Sequence, residues 1–82
     1  MPEPVDRDRL ADPATRVLDM ETRAAVARTL RAMRPLHRQA LVLREYGGLS
    51  CAAIGARLGL TPAAVKSLLF RARAEFRGLH RP

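Results

Sequence analysis

The chain has 82 residues, is 48% hydrophobic but only 4% aromatic, and carries a net charge of +7 with a pI near 11.4. That length allows one small domain, and a core built from Leu, Val and Ala with just five Gly suits packed helices rather than a sandwich or barrel. A single Cys leaves no disulfide framework or metal cluster, and no signal-peptide or membrane-length apolar run is present, so a cytoplasmic protein without a membrane partner is expected.

Residues 1–11 alternate in charge, hold two prolines and have little apolar content, the pattern of a flexible tail or linker end; the domain is expected over 12–82. Asp12 can cap a first helix that Pro13 opens. Within it Val26, Leu30 and Met33, spaced four then three, mark one face, with Arg23, Arg28, Arg31 and Arg34 off that line. A start only near Thr22 is the alternative. Arg34-Pro35 breaks the helix, because proline disfavours helical geometry in the residue before it. A second helix runs from Leu36 to Tyr46, offering Leu41, Val42 and Leu43 for burial, and Gly47-Gly48 stops it. Ser50 caps a third, Cys51 to Leu58, with Ile54 and Leu58 facing inward. Gly59 ends that helix, Thr61 caps a fourth and Pro62 opens it, running to about Leu79. No repeat or sustained strand pattern intervenes. The fold class is all-α, a small four-helix domain.

Only Gly59, Leu60 and Thr61 join the last two helices, and so short a turn forces a steep crossing, the helix-turn-helix signature. Gly55 is the small residue that permits close approach, and Ile54, Leu58, Leu60 and Val65 fill the apolar offsets. At roughly 100° per residue, Val65, Leu69, Ala72, Phe76 and Leu79 form a core-facing seam on the fourth helix. Ala63, Lys66, Ser67, Phe70, Arg71, Arg73, Ala74 and Arg77 fall on the opposite arc. Fourteen of the fifteen basic residues are Arg, whose planar fork fits phosphate and guanine edges. Recognition helices read bases with their N-terminal residues. Small residues at Ala63 and Ala64 would bring the backbone close, with Lys66 and Ser67 first to meet base edges, while Arg71, Arg73 and Arg77 would meet phosphates.

These residues also resemble a family. "RPLHRQALVLREYGGLSCAAIGARLGLTPAAVKSLLFRARAEFRGL" is similar to region 4, the C-terminal DNA-binding region of bacterial sigma factors, especially the extracytoplasmic-function type. The matching residues include Arg38, Leu41 to Arg44, Gly48-Leu49-Ser50, Ile54, Leu58-Gly59, Val65-Lys66-Ser67, Leu69 and Arg71-Ala72-Arg73, across about residues 22–79. The resemblance implies a winged-helix-like helix-turn-helix domain that binds promoter DNA at the minus-thirty-five element. It also implies docking on the β-subunit flap of RNA polymerase core and, as a further partner, an anti-sigma factor. Arg38 and Ser50 then become candidate phosphate contacts, joined on the same surface by Thr61 and Ala63. Four positions depart from the pattern. Leu68 stands where Arg is usual, so one DNA contact is missing, and Ala53 replaces Glu. Ala63-Ala64 replaces Gly-Thr, and Phe70 stands where a small polar residue is common. The polymerase-binding, promoter-melting half of a sigma factor is not among these residues, so an excised domain or an orphan module is expected.

Plainer readings stand beside these. Arg71, Arg73 and Arg77 could be a solvated face. Leu68 reads as a seam-edge core residue before a thymine-methyl contact. Phe70 is left open between a thymine methyl, a partner surface and partial burial by Arg stems. Cys51 reads as a small space-filling residue, although a helix start can lower a thiol's pKa. His37 and His80, with no carboxylate or thiol at ligand spacing, read as surface residues. No catalytic arrangement, metal site, cofactor motif or small-molecule site is evident. A second functional class is a protein-interaction module that exposes Leu68 and Phe70 and binds polymerase or an anti-sigma factor without productive DNA contact. A third, the output domain of a two-component regulator, shares the "VKS" helix but not "HRQALVLREY".

Overall fold

The computed structural model describes the backbone of residues 13–80 and the side chains of residues 20–80. The expected tail and the Asp12 cap lie outside those residues. Helix α1 (Pro13–Ala32) is followed by α2 (Pro35–Leu41), which continues into a π-helical turn (Val42–Tyr46); α3 (Cys51–Leu58) and α4 (Pro62–Leu79) complete the chain. No strand occurs among the described residues.

The breaks fall where local chemistry puts them. Arg34 leaves helical geometry at ψ 138° ahead of Pro35, and α2 starts with that proline in its first turn. The second helix does not end as an α-helix, however. The Gly47 N–H bonds the Val42 carbonyl five residues back, at 3.1 Å, which widens the last turn. Gly48 then turns left-handed at φ 67°, and the Arg44 guanidinium donates to the Leu49 carbonyl at 2.8 Å across the turn.

The core gathers Met33 at the end of α1, Ala40 and Leu41 of α2, Ile54 of α3, and Val65, Leu68, Leu69 and Ala72 of α4. Ile54 and Val65 are wholly enclosed, each burial contributing about 1.5–3 kcal/mol. The inward line of α1 is Ala25, Thr29 and Met33, with Val26 and Leu30 half-buried beside it. Leu68 is 5% exposed, as a seam-edge residue should be, so the protein-interaction reading loses one of its two exposed contacts. Leu79, expected in the seam, is 39% exposed and instead lines a surface pocket with Arg28, Thr29 and Ala32 of α1. Leu43 and Leu58 are half-buried at the edge of the cluster, Val42 is half-buried, and Cys51 packs at that edge as a small apolar residue.

Both histidines depart from the surface reading. His37 Nδ1 lies 2.8 Å from Glu75 Oε1, the two side chains being 15% and 22% exposed. Glu75 also accepts from the Arg34 backbone N–H at 3.3 Å, so an acid on α4 ties down the start of α2. His80 stacks on Phe76 with ring centroids 5.0 Å apart, and its Nδ1 lies 2.8 Å from Thr29 Oγ1. The Thr29 hydroxyl donates to the Ala25 carbonyl at 3.0 Å, which leaves the His80 ring to donate to the Thr29 oxygen. The end of α4 is thereby fixed to α1. Among the described residues no buried side-chain nitrogen or oxygen lacks a partner.

Helices α3 and α4 bend by 94° at their break. Gly59 closes α3 at φ 73°, and the Leu60 N–H returns to the Gly55 carbonyl at 2.9 Å, a left-handed closure that favours glycine. The Thr61 hydroxyl accepts from the Ala64 N–H at 3.1 Å and opens α4 with Pro62 behind it. Thr61→Ala removes that cap without touching the core. It should lower stability by about 1 kcal/mol, read as a Tm fall of about 4–8 °C, and Thr61→Ser should restore most of it.

Candidate nucleic-acid interface

Helix α4 is held from beneath by Val65, Leu68, Leu69 and Ala72, so its other side faces outward by necessity rather than by composition alone. Ala63, Lys66, Ser67, Phe70, Arg71, Arg73, Ala74 and Arg77 are all exposed. Helical geometry sets Ala63, Phe70 and Ala74 along the middle of that arc. Phe70 rises from this low midline at 72% exposure, with Lys66, Arg73 and Arg77 on one flank and Ser67 and Arg71 on the other. Partial burial by Arg stems is therefore not its situation.

The charge on this arc is barely opposed. Beyond Glu21 the chain has two carboxylate side chains, Glu45 and Glu75, against twelve Lys and Arg residues. Glu75 is engaged at the start of α2. Glu45, in the π-helical turn, pairs with Arg73 at 3.1 Å. Lys66, Arg71 and Arg77 make no ion pair with any described residue.

Two of the remaining candidates lie at helix N-termini. Ser50 and Thr61 are exposed, and each hydroxyl oxygen accepts a backbone N–H of its own helix at 3.1 Å. A hydroxyl that accepts in this way still has its own proton to donate outward, beside the unpaired N–H groups of the first turn. Arg38 differs. Half-buried on α2, it turns back so that Nη1 meets the Leu30 and Met33 carbonyls at 3.3 and 3.5 Å, capping the end of α1. The structure thus brings the α4 residues onto one face and gives Arg38 a packing task. Thr29, Glu45 and Glu75 were not anticipated in any role. Only Thr29 had a visible signal, standing four residues from both Ala25 and Met33.

Two apolar grooves open on the described surface. One, of about 360 Å³ between α1, the π-helical turn and α4, is floored by Val26, Leu30, Leu41 and Phe76 and edged by Tyr46, Glu45, Arg73 and Arg77. The other runs between α2 and α3 along Val42, Leu43 and Leu58, with Arg38 and Arg57 at its rim. No group of three or more His, Cys, Asp or Glu residues that could hold a metal ion occurs among the described residues. No single helix there is long and apolar enough to cross a membrane.

A steep helix-turn-helix, an apolar seam under its second helix and an uncovered cationic arc above define a DNA-binding helix-turn-helix domain. The family model for sigma-70, region 4, matches residues 23–76, about two thirds of the chain, and the chain belongs to that family. This is a family of non-enzymatic domains that act in transcription initiation, binding promoter DNA and RNA polymerase. No curated protein and no solved structure matches the chain.

Proposed function

We propose that this domain reads the minus-thirty-five promoter element for an alternative sigma factor of the extracytoplasmic-function type, with α4 entering the major groove. The observation that carries this reading is the outward arc of α4, where Lys66, Ser67, Phe70 and Arg71 stand uncovered on a helix fixed from below. Ala63 lets the start of the helix approach the base pairs. Lys66 and Ser67 reach base edges, and Phe70 meets a thymine methyl, the apolar feature of the major groove. Arg71, Arg73, Arg77 and the Ser50 and Thr61 hydroxyls hold the flanking phosphates. Arg38 contributes to the phosphate grip through N–H groups that the α1 carbonyls leave free.

We further assign the polymerase flap to the groove between α1, the π-helical turn and α4. Its floor is aliphatic and aromatic where the other arc of α4 is cationic, and Tyr46 stands at its edge 68% exposed. That floor suits an apolar protein segment, while Arg73 and Arg77 at its edge also belong to the cationic arc.

The test begins with selection of bound duplexes from a random pool, followed by affinity measurements across salt. Lys66→Ala should weaken the selected site by about 1–3 kcal/mol and relax preference at one position. Arg77→Ala should weaken all sequences alike and reduce the salt slope by about one. Unchanged affinity and preference in Lys66→Ala would remove its base-reading role. A chain that pulls down polymerase yet shifts no duplex at physiological salt would favour the protein-interaction reading.

A further inference from the structure

We propose that Glu45 is an intramolecular competitor for DNA phosphate that holds down the affinity of the domain for every duplex. The inference rests on the reading that α4 enters DNA. Lys66, Arg73 and Arg77 are separated by steps of seven and four, which places them on one ridge of α4. A phosphate backbone lying along that ridge meets three cations. Glu45 neutralises the middle one, its Oε2 lying 3.1 Å from Arg73 Nη2.

The two carboxylates beyond Glu21 are used differently. The Glu75 side chain, 22% exposed, meets both a ring nitrogen and a backbone N–H and thereby secures α2 against α4. The Glu45 side chain is 54% exposed and Arg73 is 45% exposed. An ion pair as open as that contributes little to folding. Its larger consequence falls on binding. If Arg73 leaves Glu45 for a phosphate, that contact is made only by giving up the ion pair. If Arg73 stays, it releases no counterion and adds nothing to the grip. Glu45 opposes association either way, and equally for all sequences, because phosphates carry no base information.

The experiment uses the full 82-residue chain with a selected and a scrambled duplex, in anisotropy titrations at several salt concentrations. Glu45→Gln should tighten both duplexes by roughly three- to tenfold and steepen the salt slope by about 0.9, one phosphate contact. Glu45→Ala, which unlike Glu45→Gln leaves no amide oxygen for Arg73 to meet, should give the same gain, with thermal melts establishing that each variant is folded. In an Arg73→Ala background the gain should fall below about twofold, since the effect acts through that guanidinium. Weaker or unchanged binding in both Glu45 variants overturns the proposal and makes Glu45 an orienting or neutral partner. An equal gain without Arg73 also overturns it, leaving only a general charge effect. If the wild-type chain binds neither duplex, the DNA reading falls and takes this proposal with it; if it binds and the variants do not differ, this proposal falls alone.

Discussion

Gly55→Ala should destabilise the domain by about 3 kcal/mol, the upper end of what overpacking costs. A Cβ built on Gly55 would lie 2.2 Å from the Leu60 carbonyl oxygen and 3.2 Å from its carbon. Both are backbone atoms, so no rotamer change can make room. The turn itself would have to move, and the Leu60 N–H that closes α3 on the Gly55 carbonyl at 2.9 Å would move with it. A domain of this size holds only about 0.05–0.15 kcal/mol of stability per residue, so the loss is a large share of the total. The same shift changes the 94° bend that aims α4. DNA affinity should therefore fall by more than the unfolded fraction explains. Gly78→Ala supplies the control. Nothing lies within 4 Å of a Cβ there, and alanine in place of a helical glycine should stabilise by about 0.5–1 kcal/mol. Thermal melts of the two variants, beside duplex titrations at a temperature where both are folded, check the pair. Equal melting temperatures would mean that close approach at Gly55 does not shape the turn.

What was legible in the sequence follows from range. Helix ends are decided by one or two adjacent residues, so Pro35, Gly59, Thr61 and Pro62 marked them within a residue or so. The helix-turn-helix was legible for the same reason, since the close approach at Gly55 involves a carbonyl only five residues away. The outward arc of α4 followed from periodicity, and even Leu68, which breaks the family pattern, sorted correctly to the seam. The π-helical turn left no local mark, because whether Gly47 bonds Val42 or its neighbour depends on how the turn packs. Pairings between distant residues left none either. Glu45 and Arg73 are 28 residues apart, Glu75 and His37 are 38 apart, and Thr29 and His80 are 51 apart. A histidine without a nearby partner in sequence can still meet one in space, a carboxylate for His37 and a hydroxyl for His80, and that is why both histidines were misplaced. The fold and the outward face were thus readable, whereas the ion pair that tempers the face was not.

Phe70→Glu should reduce affinity for the selected duplex by at least about a hundredfold while leaving the melting temperature nearly unchanged. The side chain is 72% exposed and belongs to no packed cluster, so folding loses little. Singly exposed apolar residues are common on protein surfaces, and exposure alone would say nothing. Position makes it informative. Between Ala63 and Ala74 on the midline of the arc, a side chain at 70 is the first to touch whatever α4 meets. In a major groove a carboxylate there would face two phosphate strands, and like-charge juxtaposition costs several kcal/mol; about 3 kcal/mol corresponds to the hundredfold loss. Phe70→Ala removes only an apolar contact. It should cost less and chiefly relax a preference for thymine at one position. The comparison separates the two surfaces of the domain, because the groove assigned to polymerase has Phe76 rather than Phe70 in its floor. Polymerase pull-down should survive Phe70→Glu. The opposite result, an intact duplex shift with lost pull-down, would place protein rather than DNA on the cationic arc of α4.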